Sequence, residues 1–332
     1  MKKTTFTILF VVFITNIHSQ KFINYNSTNG LVSNSVTSIS IDSKGNKWFG
    51  TESGVSKFDG ITWTTLREAN GLVSNWVRST AIDAHDNIWF GAWGGVSKFD
   101  GTSWKSYKTE LFETDVLSVA IDENGNNWVG TKGYILKFDG AVWNKYDIPI
   151  GLSNIYSIAI DLQGNKWFGT SYGVSMFNGT NWTIYTKERT GISVGISAFD
   201  GGITWTNNNK GHGITENHVL NLSVDKQNNK WFAVFDRDNN GKGVSKFDGS
   251  TWTTYTKANG LASNNVNYIA IDTHGILWFA TDQGVTKFDG KNWKTYTKSN
   301  GLVDNNVRSI AFDAQGNKWF GTDGGVSELI DN

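Results

Sequence analysis

"NGLVSNSVTSISIDSKGNKWFGTESGVSKFDG" runs from Asn29 to Gly60, and "NGLVSNWVRSTAIDAHDNIWFGAWGGVSKFDG" says nearly the same from Asn70 to Gly101. Aligning every "IDxxGNxW" copy places its tryptophan at Trp48, Trp89, Trp128, Trp167, Trp231, Trp278 and Trp319, so the unit occurs seven times. A second series, "FDGxxW", gives Trp63, Trp104, Trp143, Trp182, Trp252 and Trp293, with a partial copy ending at Trp205. Within one unit the alternation and turn residues predict four strands, Val36–Ile41, Lys47–Thr51, Gly54–Phe58 and Thr62–Leu66. "DSKGN" supplies a type I turn followed by a left-handed residue, and "FDG" a tight hairpin.

Four short strands with a tryptophan signature, repeated every 40–45 residues or so, are the pattern of a β-propeller blade. The expected fold is therefore all-β, a single seven-bladed β-propeller of four-stranded blades. The last unit stops at "GVSELIDN" without its fourth strand, while "KFINYNSTNGL" near the N-terminus matches "WTTYTKANGL" from Trp252 to Leu261. Residues Lys21–Asn26 are therefore expected to complete the last blade and close the ring, which would otherwise leave an unpaired edge.

The composition agrees: 37 Gly, 16 Trp, 10 Tyr and 20 Phe against one Pro suit short strands joined by glycine-rich turns. The first residues, "MKKTTFTILFVVFITNIHS", place Lys2 and Lys3 before an apolar stretch too short to span a membrane. They read as a signal peptide over residues 1–19, leaving a propeller over 20–332 that is exported to the periplasm or cell exterior. Formal charge is zero over the whole chain, and losing the two lysines makes the remainder slightly acidic. Nothing in that balance attracts nucleic acid or inserts into a membrane. With no cysteine there are no disulfides and no thiolate metal site, so stability rests on packing and closure.

The words "NGLxxNxVxSIxxDxxGNxWFGTxxGVSKFDG" resemble the two-component regulator propeller repeat of periplasmic sensor regions in hybrid two-component proteins of Bacteroidetes. The resemblance implies a sensor-type propeller outside the cytoplasmic membrane, in a family with links to glycan sensing. The sequence shows no membrane span or kinase after the repeats, so recognition is expected without a built-in output, with a separately encoded sensor kinase as the reader. The "GNxWF" words are also similar, more weakly, to streptogramin lyases, propellers that use histidines, a carboxylate and magnesium. Beyond residue 19 the histidines are His85, His212, His218 and His274, and alignment puts His85 and His274 in turns on the rim opposite the channel mouth.

Residues present in every copy serve the blade, because seven equal positions cannot make the asymmetric set that a site needs. Asp42 and its equivalents thus read as turn residues, and Trp48 and its equivalents as packing between blades. Individuality is sought instead at the start of each inner strand, where the aligned residues are Ser35, Trp76, Asp115, Asn154, His218, Asn265 and Asn306. Two residues on they are Thr37, Arg78, Leu117, Tyr156, Leu220, Asn267 and Arg308, which strand parity would place on the same face. The loops after the second strands, holding Trp93, Tyr172, Asp282 and Asp323, open onto that rim. The candidate ligand-binding residues are Trp76, Arg78, Trp93, Asp115, Tyr156, Tyr172, His218 and Arg308, and aromatic faces among hydrogen-bonding groups suit a glycan or an envelope protein. No catalytic set is legible; the enzymatic alternative, a lyase or hydrolase, would use His218 with Asp115 and a metal. A third reading is a structural surface propeller.

The 64-residue spacing between Trp167 and Trp231 contains an insertion, expected as a hairpin at about 188–215 over the rim. Its "GISVG", Gly191 to Gly195, has the spacing of a nucleophile elbow without the helix that motif requires. "DRDNNG" from Asp236 opens like a calcium loop, making Asp236, Asp238 and Asn240 candidate ligands of a weak calcium site; Phe247 stands where the bidentate Glu belongs. No other cofactor is expected.

Overall fold

A computed structural model describes residues 20–108, 115–147, 153–186, 205–207, 214 and 216–330. They form seven antiparallel four-stranded sheets, which we number as blades 1 to 7 over residues 36–66, 77–107, 116–147, 155–185, 218–255, 266–296 and 307–330. Each inner strand packs beside those of the two neighbouring blades, and the strand of blade 7 packs on that of blade 1, so the ring is closed. Residues 1–19, Gly191–Gly195 and His212 lie outside the described residues.

The strands of blade 1 are Val36–Ile41, Lys47–Thr51, Gly54–Phe58 and Trp63–Leu66. Only the last starts later than the sequence predicts. Thr62 is held in the preceding turn, where its N–H donates to Asp59 Oδ1 at 2.7 Å. The N-terminal strand Lys21–Tyr25 pairs antiparallel with Val326–Ile330, Lys21 opposite Ile330 and Tyr25 opposite Val326, and thus becomes the outer strand of blade 7. Of the insertion, Trp205–Asn207 forms a strand parallel to Trp182–Tyr185, outside blade 4. The described part is therefore an extra strand on the outer edge, away from the channel, and its partner strand buries Trp182 and Ile184.

Seven apolar clusters fill the seven junctions between blades. Trp48 packs with Val77 and Phe90 of the next blade, and Trp319 with Val36 and Phe49 across the closure. Each of these indoles also has a polar partner. The Nε1–H donates to the aspartate six residues earlier, at 3.0 Å for Trp48 to Asp42 and 2.8 Å for Trp167 to Asp161, and likewise in all seven blades. The same carboxylate takes the backbone N–H two and four residues on, as at Lys44 and Asn46. The repeated aspartate is thus both the turn former that the sequence predicts and the acceptor that satisfies a buried indole.

The second tryptophan series explains the "NGL" words. Gly71 has φ 126°, and a Cβ there would lie 2.4 Å from Trp104 Cγ, so the residue must be glycine for the outer-strand indole to seat against the loop.

These bonds set the response to acid. Burial pushes the Asp83, Asp122 and Asp161 carboxyls up, but bonds from the neighbouring Asn and Trp outweigh it and leave all three below the usual value of 3.8. A carboxylate with a lowered folded-state pKa stabilises above its unfolded pKa, and that stability is lost as pH falls through the folded value. The melting temperature is therefore expected to hold between about pH 7 and 5 and to fall below about pH 4. A scan that shows no fall by about pH 3 would contradict this role for the aspartates.

Candidate functional site

Every inner strand carries a β-bulge at the same place: register slips between Val36 and Ser38, Val77 and Ser79, Val116 and Ser118, Ile155 and Ser157, Val219 and Asn221, Val266 and Tyr268, and Val307 and Ser309. The extra residues are Thr37, Arg78, Leu117, Tyr156, Leu220, Asn267 and Arg308, and all seven line a central channel of 550 Å³. A bulge re-aims a side chain at the cost of one unpaired residue. This corrects the parity argument: the bulge, and not alternation, turns these residues inward. Of the outer set, only Asn306 reaches the channel lining; the others ring its mouth.

At the mouth, each start-of-strand residue is matched with the loop residue seventeen positions later. Asp115 accepts from Lys132 Nζ at 2.6 Å. The Asn154 N–H donates to Ser171 Oγ at 3.1 Å, and Asn265 Nδ2 to Asp282 Oδ2 at 2.8 Å. Asn306 bonds Asp323, which also pairs with Arg308. His218 faces Phe235 with ring centroids 6.2 Å apart. Blade 2 differs: its matched residues are Trp76 and Trp93, 45% and 63% exposed, standing at the end of the Val77–Ala92 ladder. Of the six large exposed apolar side chains among the described residues, Trp76, Trp93 and Tyr172 are on this rim. Ile61, Val142 and Leu162 sit in turns of the opposite rim.

The structure joins four of the sequence-predicted residues around blade 2. The Arg78 guanidinium lies over the Trp76 ring, 4.5 Å from its centroid, and donates from Nη2 to Asp115 Oδ2 at 3.3 Å. Trp93 pairs with Asp115 through the backbone. Lys132, which the sequence reading missed, completes the group, so two cations share one carboxylate that is 5% exposed. Its signal in the sequence is the slot seventeen residues after Asp115, the slot Trp93 fills in blade 2.

Tyr156 and His218 form a second group on blades 4 and 5, their rings tilted by 32° with centroids 4.8 Å apart. Burial pulls the His218 pKa down, against a bond to the Asp236 backbone that raises it, so the ring is neutral at pH 7; its Nε2 is enclosed without a partner among the described residues. No hydrogen bond joins His218 to Asp115, whose carboxylate is taken by Arg78 and Lys132. The pair that a lyase or hydrolase reading requires is thus not assembled. His85 and His274 sit in the turns after the inner strands, as expected, their N–H groups donating to Asp83 and Asp272.

The Asp236 loop, which holds the candidate calcium ligands Asp236, Asp238 and Asn240, closes on itself as a turn. Asp236 Oδ1 accepts from the N–H of Asp238 and of Asn240, and Asn239 adopts φ 60° where Gly45 has 81°. "DRDNN" is an additional copy of the blade's own "DSKGN" turn. Lys242 Nζ lies 2.8 Å from Asp236 Oδ2, placing a fixed cation on the carboxylate a metal would need. Among the described residues no group of three or more His, Cys, Asp and Glu could hold a metal ion.

Seven bulged blades with an individual rim define a seven-bladed β-propeller, and comparison places its repeats. Residues 260–283 and 301–324 match the two component regulator propeller, so two of the seven repeats are of that kind. The fold is similar to that of a protein described as the extracellular domain of the hybrid two component system BT3049 from B. thetaiotaomicron, at 21% identity and TM-score 0.72 over 92% of this chain and 40% of that one. It is also similar to the extracellular domain of the one component system BT4673 from B. thetaiotaomicron, at 20% identity and TM-score 0.70, over 94% and 40%. A streptogramin B lyase aligns at 14% identity and TM-score 0.68, over 94% and 98%. At these identities the likeness shows the fold, and this chain spans about 40% of the length of the two extracellular domains. No curated protein matches the chain in sequence. No helix among the described residues is long and apolar enough to cross a membrane.

Proposed function

We propose that this protein is an exported, non-enzymatic recognition propeller of the sensor type, which binds a glycan across Trp76 and Trp93. One observation carries the reading: in blades 3, 4, 6 and 7 the matched rim residues bond each other, whereas blade 2 presents two exposed indoles. Flat indole faces accept the apolar faces of sugar rings, and Arg78, Asp115 and Lys132 beside them supply oriented donors and an acceptor. The likeness to extracellular sensor domains supports the location and the class. A separately encoded sensor kinase would read the bound state.

Titration of intrinsic tryptophan fluorescence with a panel of envelope and plant oligosaccharides tests this. Trp93→Ala is expected to weaken the glycan that binds by about thirty-fold, as truncation of a central aromatic contact does. Unchanged affinity in the Trp76→Ala/Trp93→Ala double variant would remove the site from this rim. An envelope protein captured by the native chain and lost with the double variant would replace the glycan as ligand.

A further inference from the structure

We infer that the channel beneath the rim is a second binding site, which shares Arg78 with the rim, for a small amphipathic anion: a carboxylate carried on an aromatic or branched apolar body of about the size of an acylated amino acid. The seven bulged positions are structurally equal, so the scaffold imposes no reason for them to differ by side of the ring. They nevertheless segregate. Blades 6, 7, 1 and 2, consecutive around the ring, contribute Asn267, Arg308, Thr37 and Arg78; blades 3, 4 and 5 contribute Leu117, Tyr156 and Leu220. At the bulged positions one side is therefore polar with two guanidiniums, and the facing side carries two leucines and a tyrosine.

The cationic wall has donors to spare. Asp115 is shared by Arg78 and Lys132, so that group of three carries a net positive charge, and Arg78 Nε is enclosed without a partner among the described residues. Arg308, which lines the channel, pairs with Asp323 through Nε, and Asp323 also accepts from Asn306, so that ion pair does not use the guanidinium's two outer nitrogens. An incoming carboxylate receives charge-assisted hydrogen bonds from a guanidinium edge, while its apolar body displaces water from Leu117 and Leu220 and meets the Tyr156 ring. A volume of 550 Å³ holds a small molecule of this kind.

Calorimetric titration of the full chain with N-acetyl-phenylalanine, its uncharged carboxamide and acetate tests the assignment. The acid is expected to bind, with the carboxamide and acetate each weaker by about ten-fold or more, since each lacks one of the two recognised parts. Arg308→Gln and Leu220→Asn should each weaken the acid by about ten-fold, and Arg308→Lys should restore part of the loss. Trp93→Ala, which removes the rim platform, should leave the acid's affinity unchanged, separating this site from the glycan reading. If Arg308→Gln does not fold, Leu117→Phe, which fills the apolar side of the channel, is expected to block binding. Equal binding of acid and carboxamide, no binding of the acid, or an unaffected Leu117→Phe variant would overturn the proposal.

Discussion

A chain that begins at residue 27, lacking the strand Lys21–Tyr25, is expected to lose the monomeric native state. That strand closes the ring through five residue pairs with Val326–Ile330. It also brings two aromatic anchors: Phe22 packs edge-on to Tyr296 at 6.0 Å, and Tyr25 stacks on Trp319 at 5.9 Å and touches Phe58 across the closure. Two half-buried aromatics contribute roughly 2–4 kcal/mol, and the ladder's loss exposes buried Leu329 and a bare strand edge, so the sum takes much of a domain's net stability. The checks are denaturant unfolding and light scattering: the shortened chain should unfold at much lower denaturant or associate through its edge. A peptide of residues 20–26 added in trans should restore the monomer. A shortened chain with native stability would show that closure is not structural.

The second large effect is expected at the repeated tryptophans. Trp278 is fully buried, stacks on Tyr296 at 5.9 Å, and donates its N–H to Asp272 at 3.2 Å. Trp278→Ala should cost about 3–5 kcal/mol, the usual loss for a core aromatic. Trp93→Ala, at a 63% exposed position, should change stability by less than about 0.5 kcal/mol. Equal losses at the two positions, measured by denaturant unfolding, would undo the division between residues that hold the blade and residues that differ between blades.

That division was largely legible in the sequence, because a solenoid-like ring repeats its physics. The tryptophan spacing counted the blades, the turn words set strand ends to within a residue, and the partial last unit pointed to closure by Lys21–Asn26, one residue longer than the strand observed. The Asp42–Trp48 bond was missed because a six-residue spacing across a turn has no simple period. The bulge was missed too, although a signal was present: in "VTSISI" the buried residues are Val36 and Ile39, three apart, where an unbroken strand would bury every second one. Around the site, Trp76 and Trp93 were legible as rim aromatics, but not that they fill matched slots at the end of one ladder. A calcium loop and a blade turn share aspartate, asparagine and a left-handed residue at similar offsets, so the sequence of the Asp236 loop fits both; the Lys242 contact is visible only in the structure. Segregation around the channel needed the ring order, which depends on which blades touch.

The measurement that tests the central claim most directly is thermal unfolding of residues 20–332 against a panel of oligosaccharides, run in parallel on the native chain and the Trp76→Ala/Trp93→Ala variant. A ligand that binds only the folded state raises the midpoint. The account predicts that one glycan class raises it for the native chain and not for the variant, while the two proteins melt together without ligand. A shift that survives in the variant, or a variant that melts far below the native chain, would contradict it.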